Sequence, residues 1–404
     1  MYLFGIDWSE KQHWVCIMTE SGKILSLFSI DHSVSGFNRI EEERQKLGVA
    51  AEDCLVALET NHHLLVDFLW TRHYTIYVIP PRAVSRYRDR YRQSGANSDA
   101  SAAITLAHIL RTDRDYHRPW QPDQLLTRQI QAKVALIEDL RQSIQRLGNQ
   151  LRALLFRYHP QTLELFSDLT APITLRFVLA YPTPQHCRDL TLEQFQTFCR
   201  AHRYPHPSRL PKLYACLQTP TPQPSPETVQ AYQEEAQTLA ALVLQTVQVR
   251  EQALKRLKQL FAQHPDGFIF ASLPGAGQLL APALLAKFGD RRERFSSPNA
   301  VQALAGTCPV TVQSGKKRLI RFRQACDKDF RRIAQQFAVA SVNQSAWAAA
   351  YYQQVRPHCD SDSHAYRCLA NRWLAIIWKM WQSRQPYDEA YHLRQRAQRR
   401  QPRL

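Results

Sequence analysis

The chain has 404 residues, with 52 Lys and Arg against 35 Asp and Glu, a formal charge of +17 and an isoelectric point near 9.6. That excess of base is the footprint of a nucleic-acid binder, a well-solvated basic surface being the plain alternative; the 44% of hydrophobic residues suffices for real cores, and the length predicts two or three domains. Nine scattered cysteines without a CxxC pair exclude a disulfide-framed small domain, and no apolar run approaches the ~20 residues of a membrane span, so a soluble intracellular protein is expected.

The first element is an apolar run, Tyr2-Leu3-Phe4-Gly5-Ile6, which reads as a buried strand ending at Asp7. An acid there, with no basic flank before it, argues against a signal peptide. Further strands are predicted at 13–18, 24–30, 55–58 and 74–79, and helices at 34–46, 63–73 and 99–112. Short polar turns separate the first three strands, which predicts an antiparallel meander. Three hairpin strands, then helix, strand, helix and strand, is the order of an RNase H-like α/β domain over residues 1–120. Pro80-Pro81 ends its last strand, because proline cannot donate to a ladder.

Residues 121–158 read as one long helix. Leu126, Ile130, Val134, Ile137, Leu140, Ile144, Leu147 and Leu151 recur at spacings of three and four, a heptad-like seam that predicts a coiled coil with a partner helix. A second long helix is predicted at 227–261. The proline-rich stretch 180–225 between them reads as loop or short helical pieces. Residues 266–404 look compact and mostly helical, with a basic tail from Arg394. The expected fold class is therefore α/β plus α, in three parts: 1–120, a helical insertion at 121–265, and a helical domain at 266–404.

Three constellations carry chemistry. Asp7 ends the first strand and Glu59 follows the strand at 55–58. A buried carboxylate is costly unless it is paired or binds a metal, so two on neighbouring strands point to a shared cation. Asp99 opens a helix and can join them, although taken alone it reads as an N-cap. Hard oxygen ligands suit Mg²⁺ or Mn²⁺. The second constellation is Leu273-Pro274-Gly275-Ala276-Gly277, a turn whose free N–H groups suit a phosphate; a tight inter-helix turn is the equal alternative. The third is Gln313-Ser314-Gly315 with Lys316, Lys317, Arg318, Arg321, Arg323 and Arg331 around it. In a loop, Ser314 is free of helix packing, and the bases beside it can bind a scissile phosphate; alone, the segment reads as a basic loop making passive contacts. A basic helix is predicted from about 323. His358, Cys359 and His364 hint at zinc, but the spacing fits no standard site and a fourth ligand is missing.

Taken in order, these motifs resemble those of the DEDD-type insertion-sequence transposases, the serine-dependent recombinases related to the Piv invertase and to the bridge-RNA-guided recombinases. Gly5-Ile6-Asp7, Leu58-Glu59-Thr60 and Ser98-Asp99 resemble the three acidic motifs. Leu273 to Gly277, Ala303 to Pro309 and Gln313-Ser314-Gly315 resemble the C-terminal transposase domain. The resemblance implies a RuvC-like domain that holds Mg²⁺ on Asp7, Glu59 and Asp99, with Ser314 as the nucleophile on DNA. It further implies a coiled-coil insertion joining subunits, a homodimer or homotetramer on double-stranded DNA, an element-encoded guide RNA in some members, and a bacterial, nucleoid-associated setting. One position departs from the pattern: the family has a second Asp three residues after the first in its third motif, and this chain has Ala102. The rival expectations are a catalytically impaired nucleic-acid-binding derivative and a Holliday-junction nuclease that uses water instead of serine.

Overall fold

Strand-forming runs rich in β-branched and aromatic residues build a six-stranded sheet at the start of the chain. The computed structural model describes the chain except residues 92–97, 220, 221, 223, 316 and 401–404, and the side chains of 91 and 395–400. The chain forms two compact units, Met1–Pro122 and Asp123–Leu404.

In the first unit, β1 (Tyr2–Asp7), β2 (Gln12–Thr19) and β3 (Ile24–Asp31) form the expected antiparallel meander. Helix α1 (Val34–Lys46) leads to β4 (Cys54–Leu58), which pairs parallel with β1, and α2 (Leu64–Thr71) leads to β5 (Thr75–Val78), parallel with β4. Two helices follow, α3 (Pro81–Tyr91) and α4 (Asp99–Asp113), and a short β6 (Pro119–Trp120) pairs antiparallel with β5. The sheet order is β3-β2-β1-β4-β5-β6.

Alternation along the strands sorts side chains onto two faces. Phe4, Ile6, Val56 and Leu58 pack with Phe37 and Ile40 of α1 and Leu65 and Leu69 of α2. Leu3, Leu55 and Ala57 pack on the other face with Val84 of α3 and with Ala103, Leu106 and Ala107 of α4. Gly5 makes that second packing possible. A Cβ at this position would lie 1.9 Å from the Ala103 carbonyl oxygen and 2.5 Å from the Ala107 nitrogen. Only a residue without a side chain lets α4 lie so close on β1.

The second unit is helical apart from one hairpin. The long helices are α5 (Leu125–Tyr158) and α11 (Pro226–Gln263), with α6 (Gln161–Leu165), α7 (Pro172–Ala180), α8 (Pro184–Arg188), α9 (Leu192–Ala201) and α10 (Leu210–Gln218) between them. The last three, α8 to α10, are the short helical pieces expected in the proline-rich stretch 180–225. The seam of α5 is covered within the chain: Leu151 and Leu155 pack with Ala236, Ala240 and Val243, and Ile130 and Ile137 share a core with Leu257 and Leu260. The two helices therefore run antiparallel.

The latter core continues into α12 (Gly267–Ala271), α13 (Gly277–Phe288), α14 (Pro298–Leu304), α15 (Lys328–Val342), α16 (Ala346–Val355) and α17 (Asp362–Ser383); α18 (Glu389–Arg400) closes the chain. Residues set apart in the sequence as 121–265 and 266–404 thus share one core, which includes Phe288, Phe330, Trp373 and Trp381. Among the described residues no helix is long and apolar enough to cross a membrane.

The hairpin consists of β7 (Val310–Ser314) and β8 (Lys317–Arg321). Where the sequence predicts a loop around Ser314, the structure has two strands, and the predicted helix from 323 begins only at Lys328. Asp327 sets that start: its carboxylate accepts from the Phe330 N–H at 2.9 Å and pairs with Lys287 Nζ at 2.8 Å.

Candidate functional site

Asp7 and Glu59 each stand two residues beyond the paired Gly5 and Ala57 of β1 and β4. Neighbouring parallel strands lie about 4.8 Å apart, so the two acids occupy equivalent positions at adjacent strand ends. Counting by twos from Leu3 and Gly5, and from Leu55 and Ala57, both face α4. Asp99 opens α4 one turn before Ala103, the residue lying on Gly5. It is not the N-cap. Ser98 holds that place: its hydroxyl accepts from the Ser101 N–H at 3.3 Å, and Ser101 Oγ accepts from the Ser98 N–H at 3.1 Å. The capping box leaves the Asp99 carboxylate exposed and free of capping duty.

The Asp7 carboxyl feels both of the other acids. Burial first, then the charges of Asp99 and Glu59, push the Asp7 carboxyl up to about 6. Burial also raises Glu59, while Arg88 on α3 opposes that rise. The oxygens of Asp7, Glu59 and Asp99 do not all fall within 4.8 Å of one another. Asp7 is coupled through charge to both of the others, and the trio is wider than a closed coordination shell. Its donors are hard oxygens, and its negative charge is only partly offset by Arg88, which is the chemistry that fits a divalent cation.

Ala102, buried at 8% exposure, lies one turn after Asp99 and on the same face. Asp113 and Asp115 do not replace a ligand there. Asp113 ends α4, roughly 20 Å along the helix from Asp99, and Asp115 is exposed and pairs with Arg114 at 3.8 Å.

A ring cluster forms on the other face of the sheet, where Trp8 joins the core under α1 and α2. Trp8 stacks on His63 with centroids 3.5 Å apart, and His13 and His32 share a hydrogen bond of 2.9 Å. Burial, then His32 and His63, press the His13 imidazole down to about 4. Neither this cluster nor Arg88 is picked out by sequence reasoning. Proline at the first helical position was the available signal for α3, and hence for Arg88.

Ser314 is the last residue of β7, at the tip of the hairpin and exposed. Among the described residues its hydroxyl has no hydrogen-bond partner. Gly315 follows with φ 55°, the left-handed conformation that a two-residue hairpin turn demands. Ser314 faces Lys317 directly across the ladder, and alternation puts Arg321 on the same side of the hairpin and Arg318 on the other. Lys316 lies outside the described residues, as do the side chains of the basic tail from 395.

Arg323 and Arg331 are partly buried and hold the hairpin's exit. Arg323 Nε donates to the Cys308 carbonyl at 3.3 Å, and Arg331 donates to the Arg323 carbonyl at 2.5 Å. Gly275 packs on α15, where a Cβ would lie 2.6 Å from the Ala340 carbonyl oxygen, so close helix packing accounts for it. Gly277 begins α13 without a side-chain cap and is exposed.

Comparison with known proteins gives a consistent result. Residues 4–160 match the transposase family DEDD_Tnp_IS110, and residues 268–353 match the family described as "Transposase IS116/IS110/IS902 family". The chain is 32% identical over 392 residues to the "Mini-circle putative transposase for IS117" of Streptomyces coelicolor, covering 95% of each. It is 28% identical to the "Putative transposase y4uE" of Sinorhizobium fredii over 49% of this chain and 56% of that one. It is also 23% identical to the "Insertion element IS110 uncharacterized 43.6 kDa protein" of S. coelicolor, over 75% of this chain and 74% of that one.

Proposed function

This chain belongs to the IS110 family of transposases, and on that premise we propose that it cuts and rejoins DNA through a phosphoserine link on Ser314, with Mg²⁺ or Mn²⁺ held by Asp7, Glu59 and Asp99. The observation that carries this reading is the equivalent placement of Asp7 and Glu59 at adjacent strand ends facing the start of α4, with the Asp7 carboxyl raised to about 6. A divalent ion bound there supplies polarisation of the scissile phosphate and charge stabilisation for the leaving oxygen.

The chain's own residues do the rest. Asp7, Glu59 and Asp99 would hold the ion at the sheet edge, with Arg88 beside Glu59. The exposed Ser314 hydroxyl gives its proton to water as its oxygen bonds to phosphorus; the bond from phosphorus to the deoxyribose oxygen breaks, and that oxygen takes up a proton from water. Lys317 and Arg321, on the same side of the hairpin, neutralise the phosphate oxygens. Arg318, Lys316 and the N–H groups at the start of α13, from Gly277, contact backbone phosphates. The substrate is double-stranded DNA. The +17 charge supports an assembly rich in nucleic acid, and we take an element-encoded bridge RNA as guide, with a dimer or tetramer bringing serine and carboxylates to the same phosphate.

The test is metal-dependent cleavage of DNA carrying the element's ends. Asp7→Asn and Glu59→Gln should each lower cleavage by about 10² or more while leaving DNA binding within about threefold. Cleavage that survives both changes would overturn the reading.

Ala102 favours a second reading, a catalytically weakened derivative that keeps its nucleic-acid partners. Ala102→Asp adds a carboxylate on the face of Asp99. A gain of tenfold or more in strand exchange would support the weakened reading; unchanged exchange in an active protein would support three ligands as sufficient.

A further inference from the structure

The described residues contain one set of His, Cys, Asp or Glu side chains whose ligand atoms all lie within 4.8 Å of one another: Cys359, His364 and Cys368, each half-buried. None of the chemistry proposed above uses them. His364 and Cys368 are four residues apart on α17 and share one of its faces. Cys359 comes from the segment before that helix, and its backbone is well fixed. Its N–H donates to the Arg356 carbonyl at 3.1 Å, and Arg356 Nη1 donates back to the Cys359 carbonyl at 3.1 Å. At the other end of the segment, Ser361 caps α17 by accepting from the His364 N–H at 3.3 Å.

Two thiolates and an imidazole are a soft, borderline donor set that suits zinc, not the hard cations of the carboxylate site. As a neutral imidazole and two anions they balance a charge of +2. The Asp360 carboxylate lies 3.7 Å from His364 Nδ1 but outside the set, which leaves the fourth position to water. Burial and then the neighbouring Cys359 push the Cys368 thiol up, while Arg367 and Arg372 favour its thiolate. His358, the residue the sequence offers first, is exposed and outside the set.

We propose that Cys359, His364 and Cys368 form a structural zinc site that ties the segment 356–361 to the first turns of α17. The clip has a consequence for the serine hairpin. Arg367, next to Cys368, lies over the Phe322 ring at 4.7 Å, and Phe322 follows β8 directly. Fixing α17 therefore fixes the platform from which the hairpin springs.

The test uses the full-length protein, purified under a phosphine reductant and dialysed against Mg²⁺ without added zinc. Mass spectrometry of the metal should find about one zinc per chain, as the ligand set requires. Cobalt titration of the stripped protein should give a thiolate charge-transfer band in the near ultraviolet that saturates at about one equivalent. Cys359→Ser and Cys368→Ser should each weaken cobalt binding at least tenfold, and His358→Ala should leave it unchanged. If the serine variants fail to fold by circular dichroism, the cobalt titration of the unaltered chain decides alone. Absence of the charge-transfer band, a band unchanged in folded Cys368→Ser, or a Cys359–Cys368 disulfide in freshly isolated protein would each overturn the proposal.

Discussion

Replacing Asp7 by Asn should make the metal-free protein more stable, not less. The carboxyl rises from its ordinary 3.8 to about 6 on folding, because burial and then Asp99 and Glu59 disfavour its charge. A raised acid binds its proton more tightly in the folded state. Its contribution to stability is therefore intact below 3.8, is lost as pH climbs through about 6, and stays lost above that. Taken at face value the rise is worth about 3 kcal/mol. Asp7 is only half-buried, so solvent screening reduces this to about 1–2 kcal/mol.

Urea denaturation in the presence of a chelator is the assay. At pH 8 the Asn variant should gain that amount, a midpoint shift of about 1 M for a unit of this size. The gain should shrink between pH 6 and 4. His13 works the other way: its depressed imidazole costs stability as pH falls from 6.5 to about 4. It does so in both proteins, so the difference between them isolates Asp7. The variant should also lose any Mg²⁺-dependent stabilisation. An Asn variant less stable at pH 8, or one whose gain is the same at pH 4, would refute the claim that Asp7 carries an unfavourable charge awaiting a cation.

Three further outcomes follow from the packing. Gly5→Ala should cost about 3 kcal/mol or more and weaken Mg²⁺ binding, because a Cβ cannot share space with the α4 backbone that carries Asp99; calorimetry and metal titration read both effects. Gly275→Ala should be similarly costly through its contact with Ala340, whereas Gly277→Ala, with open space around it and φ 56°, should cost only about 1 kcal/mol. Ser314→Ala should leave stability within about 0.5 kcal/mol, since the residue is exposed on the hairpin tip.

The acids were legible because a buried strand advertises itself as an apolar run, and an acid at its end breaks that run. Asp7 and Glu59 could thus be paired without knowing the sheet order. Asp99 was found, but its role was ambiguous until Ser98 and Ser101 were seen to satisfy the helix start between them. The hairpin around Ser314 was missed because its strands are exposed on both faces and interrupted by basic residues. Hydrophobic alternation, the usual strand signal, is diluted there, with Ile320 69% exposed. Pro81 was read as the end of β5 when it also starts α3, which brings Arg88 towards Glu59. The apolar stripe on α5 shows in the sequence as spacings of three and four, but spacing cannot say whether its partner lies in another chain or ~100 residues on; residues of that stripe pack on α11 of the same chain. Cys368 escaped notice because its link to Cys359 runs through a loop whose shape only the fold fixes.

Mass spectrometry of protein recovered from a reaction with element-end DNA and Mg²⁺ tests the account most directly. It should find nucleotide covalently attached to the peptide holding Ser314, and none in Ser314→Ala. Adducts that persist in that variant, or DNA cut with no protein attached, would contradict it.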